Sequence, residues 1–120
     1  MLLYNGYKEE AKYYINEQIN ISNRVIELGA SNTRYTSPHY LRLAQVYSFL
    51  GDMDKALEYL SILSQKDRLP AWMLAQIKTS MSLDNIRDEP EFHQIVRDVE
   101  AKYQAEHERV RKWLEENDML

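Results

Sequence analysis

Apolar residues recur at steps of three and four through most of this chain, and this spacing is the strongest constraint on its fold. In the N-terminal segment the recurrence runs from Ala11 to Ile26, which is one face of a helix over about residues 7–28. The β-branched residues follow the same spacing and do not alternate with polar ones. The sequence therefore predicts an all-α protein with no convincing β-strand.

Glycine and proline are scarce, at three residues each, and they mark the ends of the predicted helices. Gly29 and Gly51 each follow a last apolar residue, a position where glycine ends helices in the left-handed conformation. Ser37-Pro38 combines an N-cap serine with a proline at the first helical position. Asp52 is a second candidate cap, so the helices on either side of Gly51-Asp52 are expected to form an antiparallel hairpin.

A short helix is predicted over about residues 71–78, directly after Leu69-Pro70. Trp72 is the largest apolar residue of this helix. We therefore expect Trp72 to be buried and to anchor the helix against the preceding hairpin.

Residues 79–90 are rich in Ser, Asp and Asn and predict an ordered turn. Leu83 and Ile86 within this turn are expected to lie in the core. Asp88 is the expected cap of a last helix over about residues 90–116.

Charge and composition argue against several classes of function. The chain has six basic against seven acidic residues in 1–60, and nine against twelve in 61–120, for a net charge of −4. Neither half is the basic patch that nucleic acid or an anionic membrane requires. The 120 residues, of which 44% are apolar, are sufficient for the core of one domain.

The expected compartment is the cytoplasm. The chain has no cysteine, so it forms no disulfide and has no thiolate nucleophile. No stretch is apolar enough for a transmembrane helix, and the N-terminus lacks the pattern of a signal peptide. A periplasmic location stays open if an upstream segment carries a signal or a membrane anchor.

No catalytic, cofactor-binding or metal-binding motif can be assembled from the sequence. The three histidines are too scattered for a metal site: they are His39, His93 and His107. The acidic residues between 84 and 91 lack the alternating ligands and central glycine of a calcium loop. The sequence predicts a protein that is not an enzyme and has no cofactor.

The chain contains nine tyrosines. Five of them follow helical spacings and are expected to pack in the core: Tyr13, Tyr14, Tyr40, Tyr47 and Tyr59. Tyr4 and Tyr35 fall outside the predicted helices and are better candidates for a contact surface.

A short pattern occurs twice, 45 residues apart: Gly6, Ala11 and Tyr14-Ile15 recur as Gly51, Ala56 and Tyr59-Leu60. The segment 37–65 resembles the tetratricopeptide repeat, a 34-residue helix pair. The matching positions are Tyr40, Leu43, Ala44, Tyr47, Gly51, Ala56 and Leu60. The segment departs from the family at Tyr40, where Trp is usual, at Leu63, and at the displaced Pro70.

The resemblance implies that the closest approach of the two helices is at Ala44 and Ala56. It also implies that residues 1–29 are the second half of a preceding repeat, whose first helix would lie upstream of Met1. Residues 70–120 resemble a capping tail that follows such repeats in bacterial multidomain proteins, on the match of Trp72, Ile77 and the run 83–92. In that run Glu89 replaces the usual aspartate, and Ser80-Met81 replaces an Asp-Pro. We therefore expect one domain over residues 1–120, formed as the C-terminal end of a longer array.

The resemblance also implies a groove for a protein or peptide partner along the first helix of the repeat, at Pro38, Leu41, Gln45 and Ser48. Leu41 and Gln45 do not match the Lys and Asn of the chaperone-binding members, so that activity is not expected. A groove centred on Leu41 suits an apolar or helical ligand.

The last helix carries a heptad-like seam in which one position, Glu106, is polar. The apolar residues of this seam are Phe92, Val96, Val99, Tyr103, Val110 and Trp113. A helix of this length is expected to extend past a small body and to expose Val110, Trp113 and Leu114, unless it packs on the first helix, a second copy or a partner.

The predicted function is a module for protein–protein interaction or scaffolding. Self-association through this helix is the alternative, as is a regulatory domain of a bacterial signalling protein.

Overall fold

A computed structural model describes residues 8–29, 33–66 and 69–119 of the chain. Within these residues every regular element is a helix and none is a strand, which confirms the all-α prediction for this part of the chain. The elements are α1 (Lys8–Leu28), α2 (Thr33–Phe49), α3 (Met53–Ser64), α4 (Ala71–Thr79), a 3₁₀ helix (Met81–Ile86) and α5 (Pro90–Glu116). Tyr4 and Gly6 lie outside the described residues, as does the side chain of Tyr35.

The first three helices form two successive antiparallel pairs. In the α1–α2 pair, the hydroxyl oxygen of Ser22 lies 3.1 Å from Nδ1 of His39. Ser22 is late in α1 and His39 is early in α2, as an antiparallel pair requires. In the α2–α3 pair, the ring of Tyr47 stacks on that of Tyr59 with centroids 5.7 Å apart, and Tyr40 lies 6.2 Å from Tyr59. Burial, together with the charges of neighbouring groups, raises the pKa of the Tyr59 phenol.

The turn between α2 and α3 follows the prediction from sequence. Gly51 has a φ of 85°, a left-handed conformation that costs glycine no steric penalty. The Asp52 side chain accepts a hydrogen bond from the Lys55 backbone N–H at 3.2 Å, so Asp52 is the N-cap of α3. Local chemistry is therefore sufficient to form this turn.

The connection between α1 and α2 differs from the prediction in two respects. The helix α2 begins at Thr33, not at Pro38, which lies inside it. Thr36 and Ser37 are buried, so burial of this turn stabilises a helical start that precedes the proline. Gly29 does not have a positive φ; a Cβ there would meet the Val25 carbonyl oxygen at 3.1 Å, so glycine provides a close approach instead.

The core lies between α2, α3, α4, the 3₁₀ helix and the first half of α5. Its buried members are Leu41, Ala44, Ala56, Leu57, Leu60, Leu63, Met73, Ile77, Leu83, Ile86, Phe92 and Ile95. The expected burial of Leu83 and Ile86 is confirmed, and Ala44 and Ala56 are buried as well. Of the apolar side chains in the described α1, only Ala11 is fully buried, so α1 is the most peripheral of the helices.

The expected burial of Trp72 is wrong, since its side chain is 49% exposed. The helix α4 turns Met73 and Ile77 into the core, four residues apart on one face. Trp72 precedes Met73 by one position and so points about 100° away from that face. Tyr13 and Tyr14 are likewise exposed and not in the core.

Arg87 joins α4 to the 3₁₀ helix and to the start of α5. Its guanidinium donates to the carbonyls of Lys78 and Ser80, each at 2.5 Å, and to the Asp84 carboxylate at 3.1 Å. It also lies 5.6 Å from the centre of the Phe92 ring. These bonds satisfy carbonyls at the end of α4 that have no partner within the helix.

The start of α5 also differs from the prediction. The residue at its N-cap is Glu89, not Asp88, and no side chain caps this end. The backbone of Glu89 is extended, and Pro90 begins the helix as expected.

Candidate protein interaction surface

The two halves of α5 have different surroundings. Residues 90–100 pack against α3 and α4 and bury Phe92, Ile95 and Val99. Every residue from 101 to 113 is exposed. A helix of 27 residues is about 40 Å long, so the second half extends beyond the body, as the sequence predicted.

Two lysines hold the first half of α5 in place. Lys102 donates to the carbonyl of Ser64 at 2.5 Å, at the C-terminal end of α3, where a positive charge is favourable. Lys78 of α4 forms an ion pair with Glu100 at 2.7 Å. Among the described residues, the last hydrogen bonds from α5 to the body are therefore made at Lys102.

A groove of about 450 Å³ lies where α5 leaves the body; we call it the α4–α5 groove. Its lining combines apolar and charged side chains from Lys66, from residues 69–74 and from α5. They are Lys66, Leu69, Pro70, Leu74, Val99, Lys102, Tyr103, Glu106, His107, Arg109 and Val110. The groove is open to solvent and is continuous with the exposed seam of α5.

The positions along α5 explain how the helix forms one wall of this groove. Val99, Tyr103, Glu106 and Val110 follow steps of four, three and four and lie on one face of the helix. Val99 is 3% exposed and Val110 is 42% exposed. The seam therefore begins in the core, passes the groove and ends on the free part of the helix.

The groove has an excess of positive charge. Among the residues that the structure describes, three basic side chains line it, from Lys66, Lys102 and Arg109, against the carboxylate of Glu106. Arg109 donates to Glu106 at 2.6 Å and 3.1 Å, and this bond raises the pKa of the arginine. The positive charges of Lys66 and Lys102 are left without a carboxylate in the groove lining, in a chain whose net charge is −4.

The predicted groove along α2 is largely covered. Leu41 is 2% exposed and belongs to the core, and Ser48 is fully buried. The side-chain amide of Gln45 donates to Gln76 at 3.3 Å and to Ser80 at 3.2 Å. Of the four predicted positions, only Pro38 and Gln45 retain part of their surface, so Leu41 is not available to a ligand in this structure.

This covering arises from the 3₁₀ helix and α4, which the resemblance does not place there. The Asn85 amide donates to the Ser48 carbonyl at 2.7 Å. The hydroxyl of Ser48 has no hydrogen-bond partner among the described residues.

Two of the three residues predicted to be exposed at the end of α5 are placed as expected. Val110 and Trp113 are exposed, the latter at 52%, and Leu114 is half-buried. The groove residues Leu69, Pro70 and Leu74 were not predicted as a site. Their only signal in the sequence is the Leu69-Pro70 pair, which also marks the start of a helix.

In residues 8–29, 33–66 and 69–119, no three His, Asp or Glu side chains are grouped so as to hold a metal ion. Burial, together with the charge of Arg42, lowers the pKa of His39, which contacts Ser22. None of the helices that the structure describes has the length and apolar character to cross a membrane.

Comparisons with known proteins find no significant match to this chain, whether among protein-family models, curated proteins or solved structures.

Proposed function

We propose that this chain is a module for protein–protein interaction, built from tetratricopeptide-like helical hairpins, with no catalytic activity and no cofactor of its own. The observation that carries the proposal is the α4–α5 groove, whose lining includes several apolar side chains and which leads onto an exposed apolar seam. Aromatic and apolar residues in a concave surface are typical of protein-binding sites.

Three features support the repeat-like arrangement in this proposal. Successive helices α1, α2 and α3 are antiparallel, Gly51 forms the turn of the second pair, and the small residues Ala44 and Ala56 are both buried. Small residues at such positions allow two helices to approach closely.

The partner is expected to present an amphipathic helix or an apolar peptide with acidic flanks. Leu69, Leu74 and Tyr103 line the groove, and Lys66 and Lys102 contribute positive charges that have no carboxylate partner among its described lining residues. An apolar helix face fits such a groove, and acidic flanks would complement its charge.

The test is to select peptides from a random display library on the full chain. Affinities of the selected peptides are then measured by fluorescence polarisation for the wild type, for Val110→Glu and for Leu28→Glu. Leu28 is a matched control because it is an exposed apolar residue of α1, and α1 contributes no residue to the groove lining.

We expect the dissociation constant to rise at least about tenfold with Val110→Glu, as for a residue near an interface centre, and to be unchanged with Leu28→Glu. The proposal is wrong if no peptide is selected, or if the two variants bind every selected peptide as well as the wild type does.

A further inference from the structure

We propose that the α4–α5 groove binds the C-terminal turn of α5 from a second copy of this chain, so that two copies form an antiparallel, two-fold symmetric dimer. This inference rests on the proposed function, since it identifies the partner of the same groove. The site is incomplete without the second copy, which contributes Trp113.

The spacing of the seam supports an antiparallel arrangement. Tyr103 and Trp113 are ten residues apart, on either side of residue 108. If two α5 helices cross their two-fold axis near residue 108, Tyr103 of each copy faces Trp113 of the other. The same register places Glu106 opposite Val110, so each contact occurs twice.

This register brings Trp113 of the second copy to the groove. Tyr103 lines the groove together with Leu69, Pro70 and Leu74, and Trp113 is half-exposed in its own chain. The volume of about 450 Å³ is sufficient for an indole side chain. A tryptophan placed in an apolar groove is a typical anchor of a protein interface.

The charges of the two surfaces are complementary. Residues 113–119 contain three acidic side chains and no basic one: Glu115, Glu116 and Asp118. The groove has an excess of positive charge from Lys66 and Lys102. The carbonyls at the C-terminal end of the helix add further negative potential, so the end of α5 matches the groove in sign as well as in shape.

Much of the protruding half of α5 is stabilised within its own chain, so it can present this surface before it binds. Arg111 donates to Glu108 at 2.9 Å and to Glu115 at 2.5 Å, and Arg109 donates to Glu106. Local pairs of this kind support a helix that has no tertiary contacts. A preformed helix loses less entropy on association than a disordered segment does.

The experiment is sedimentation equilibrium of the full chain from about 5 µM to about 500 µM, the range in which weak dimers dissociate. Four variants are compared with the wild type: Trp113→Ala, Leu28→Glu as the control, Glu116→Lys, and Glu116→Lys combined with Lys66→Glu. Circular dichroism of each variant verifies that the helical content is unchanged.

We expect the wild-type mass to rise from 14.3 kDa towards twice that value with concentration. Trp113→Ala should weaken the dimer at least about tenfold, and Leu28→Glu should have no effect. Glu116→Lys should weaken the dimer, and the added Lys66→Glu should restore it, because the two reversals exchange the charges across the interface.

A second measurement follows Trp113 directly. In a Trp72→Phe background Trp113 is the single tryptophan, and its quenching by acrylamide should decrease as the protein concentration rises. A chain that stays monomeric at the highest concentration, or a dimer that Trp113→Ala does not weaken, overturns the inference. If the chain is monomeric while peptides still bind in a Val110-dependent manner, the proposed function stands and only the dimer is excluded.

Discussion

The first half of α5 is held by the body of the protein, and the second half is almost free of it. Phe92, Ile95 and Val99 lie in or beside the core, where α3 and α4 cover them. Tyr103, Val110 and Trp113 continue the same heptad-like seam in solvent. An apolar spacing therefore identifies the face of a helix that can be buried, but not whether its own chain buries it.

The difference arises from the length of the neighbouring helices. The helix α3 has 12 residues and α4 has 9, against 27 for α5. Two short helices can cover only part of a long one, and their last bonds to it are made by Ser64 and Lys78. The rest of the seam is available for contacts between molecules.

The largest expected difference between the two halves is between their aromatic residues. Phe92→Ala should reduce the free energy of unfolding by about 3–5 kcal/mol, because it removes a buried ring and leaves a cavity. Trp113→Ala should change it by less than about 0.5 kcal/mol, as for an exposed site. Urea unfolding at low protein concentration, where the proposed dimer is dissociated, measures both. Equal losses would show that the two halves are buried alike.

A smaller effect is expected from Arg87, which connects the start of α5 to the end of α4. Arg87→Ala should cost about 1.5–3 kcal/mol, the usual range for hydrogen bonds to a charged group. Arg97→Ala is the control, since within the described part of the chain Arg97 bonds to the exposed Gln94 of its own helix and to no other element. A thermal midpoint that both variants shift equally would contradict this role of Arg87.

The closest comparison uses two valines on the same seam. Val99→Ala should cost about 2 kcal/mol, from two buried methyl groups at ~0.8 kcal/mol each and the cavity they leave. Val110→Ala should cost less than about 0.5 kcal/mol in the monomer. The substitution is the same at both positions, so the difference in unfolding free energy measures the tertiary contacts alone. A difference near zero would mean that residue 99 is not packed as the structure shows.

The smallest effect concerns the local bonds that support the free half. A hydrogen bond from Arg111, followed by its positive charge, lowers the pKa of Glu108. Because the folded pKa is depressed, this pair stabilises the helix above the ordinary pKa of glutamate and is lost as the pH falls through the depressed value. Arg111→Ala should return the Glu108 pKa to its ordinary value in an NMR titration. Arg109→Ala should leave it unchanged, because Arg109 pairs with Glu106.

Much of the local structure could be predicted from the sequence. The glycine and capping aspartate at Gly51-Asp52 define a turn through their own φ and hydrogen bonds. Leu83 and Ile86, inside the turn over 79–90, were expected in the core and are buried, whereas Met81 of the same segment is exposed. The length of α5 and the exposure of its end follow from a seam that is longer than the segments available to cover it.

The orientation of the short helices could not be predicted. In α4, residues 72 to 75 and 77 are all apolar, so the helix has no polar face to mark its outside. Only the fit against α2 and α5 decides that Met73 and Ile77 point inwards and Trp72 outwards. The start of α2 depends in the same way on the burial of Thr36 and Ser37 beside α1.

The candidate site likewise combines features that could be predicted from the sequence with features that could not. The sequence by itself determined the seam of α5 and the exposure of Val110 and Trp113, because helical spacing and chain length are local properties. Only the tertiary structure decided that Leu41 is in the core and that Leu69, Pro70 and Leu74 face α5. A groove forms between segments that are distant in sequence, and its position depends on how helices pack, which no single segment encodes.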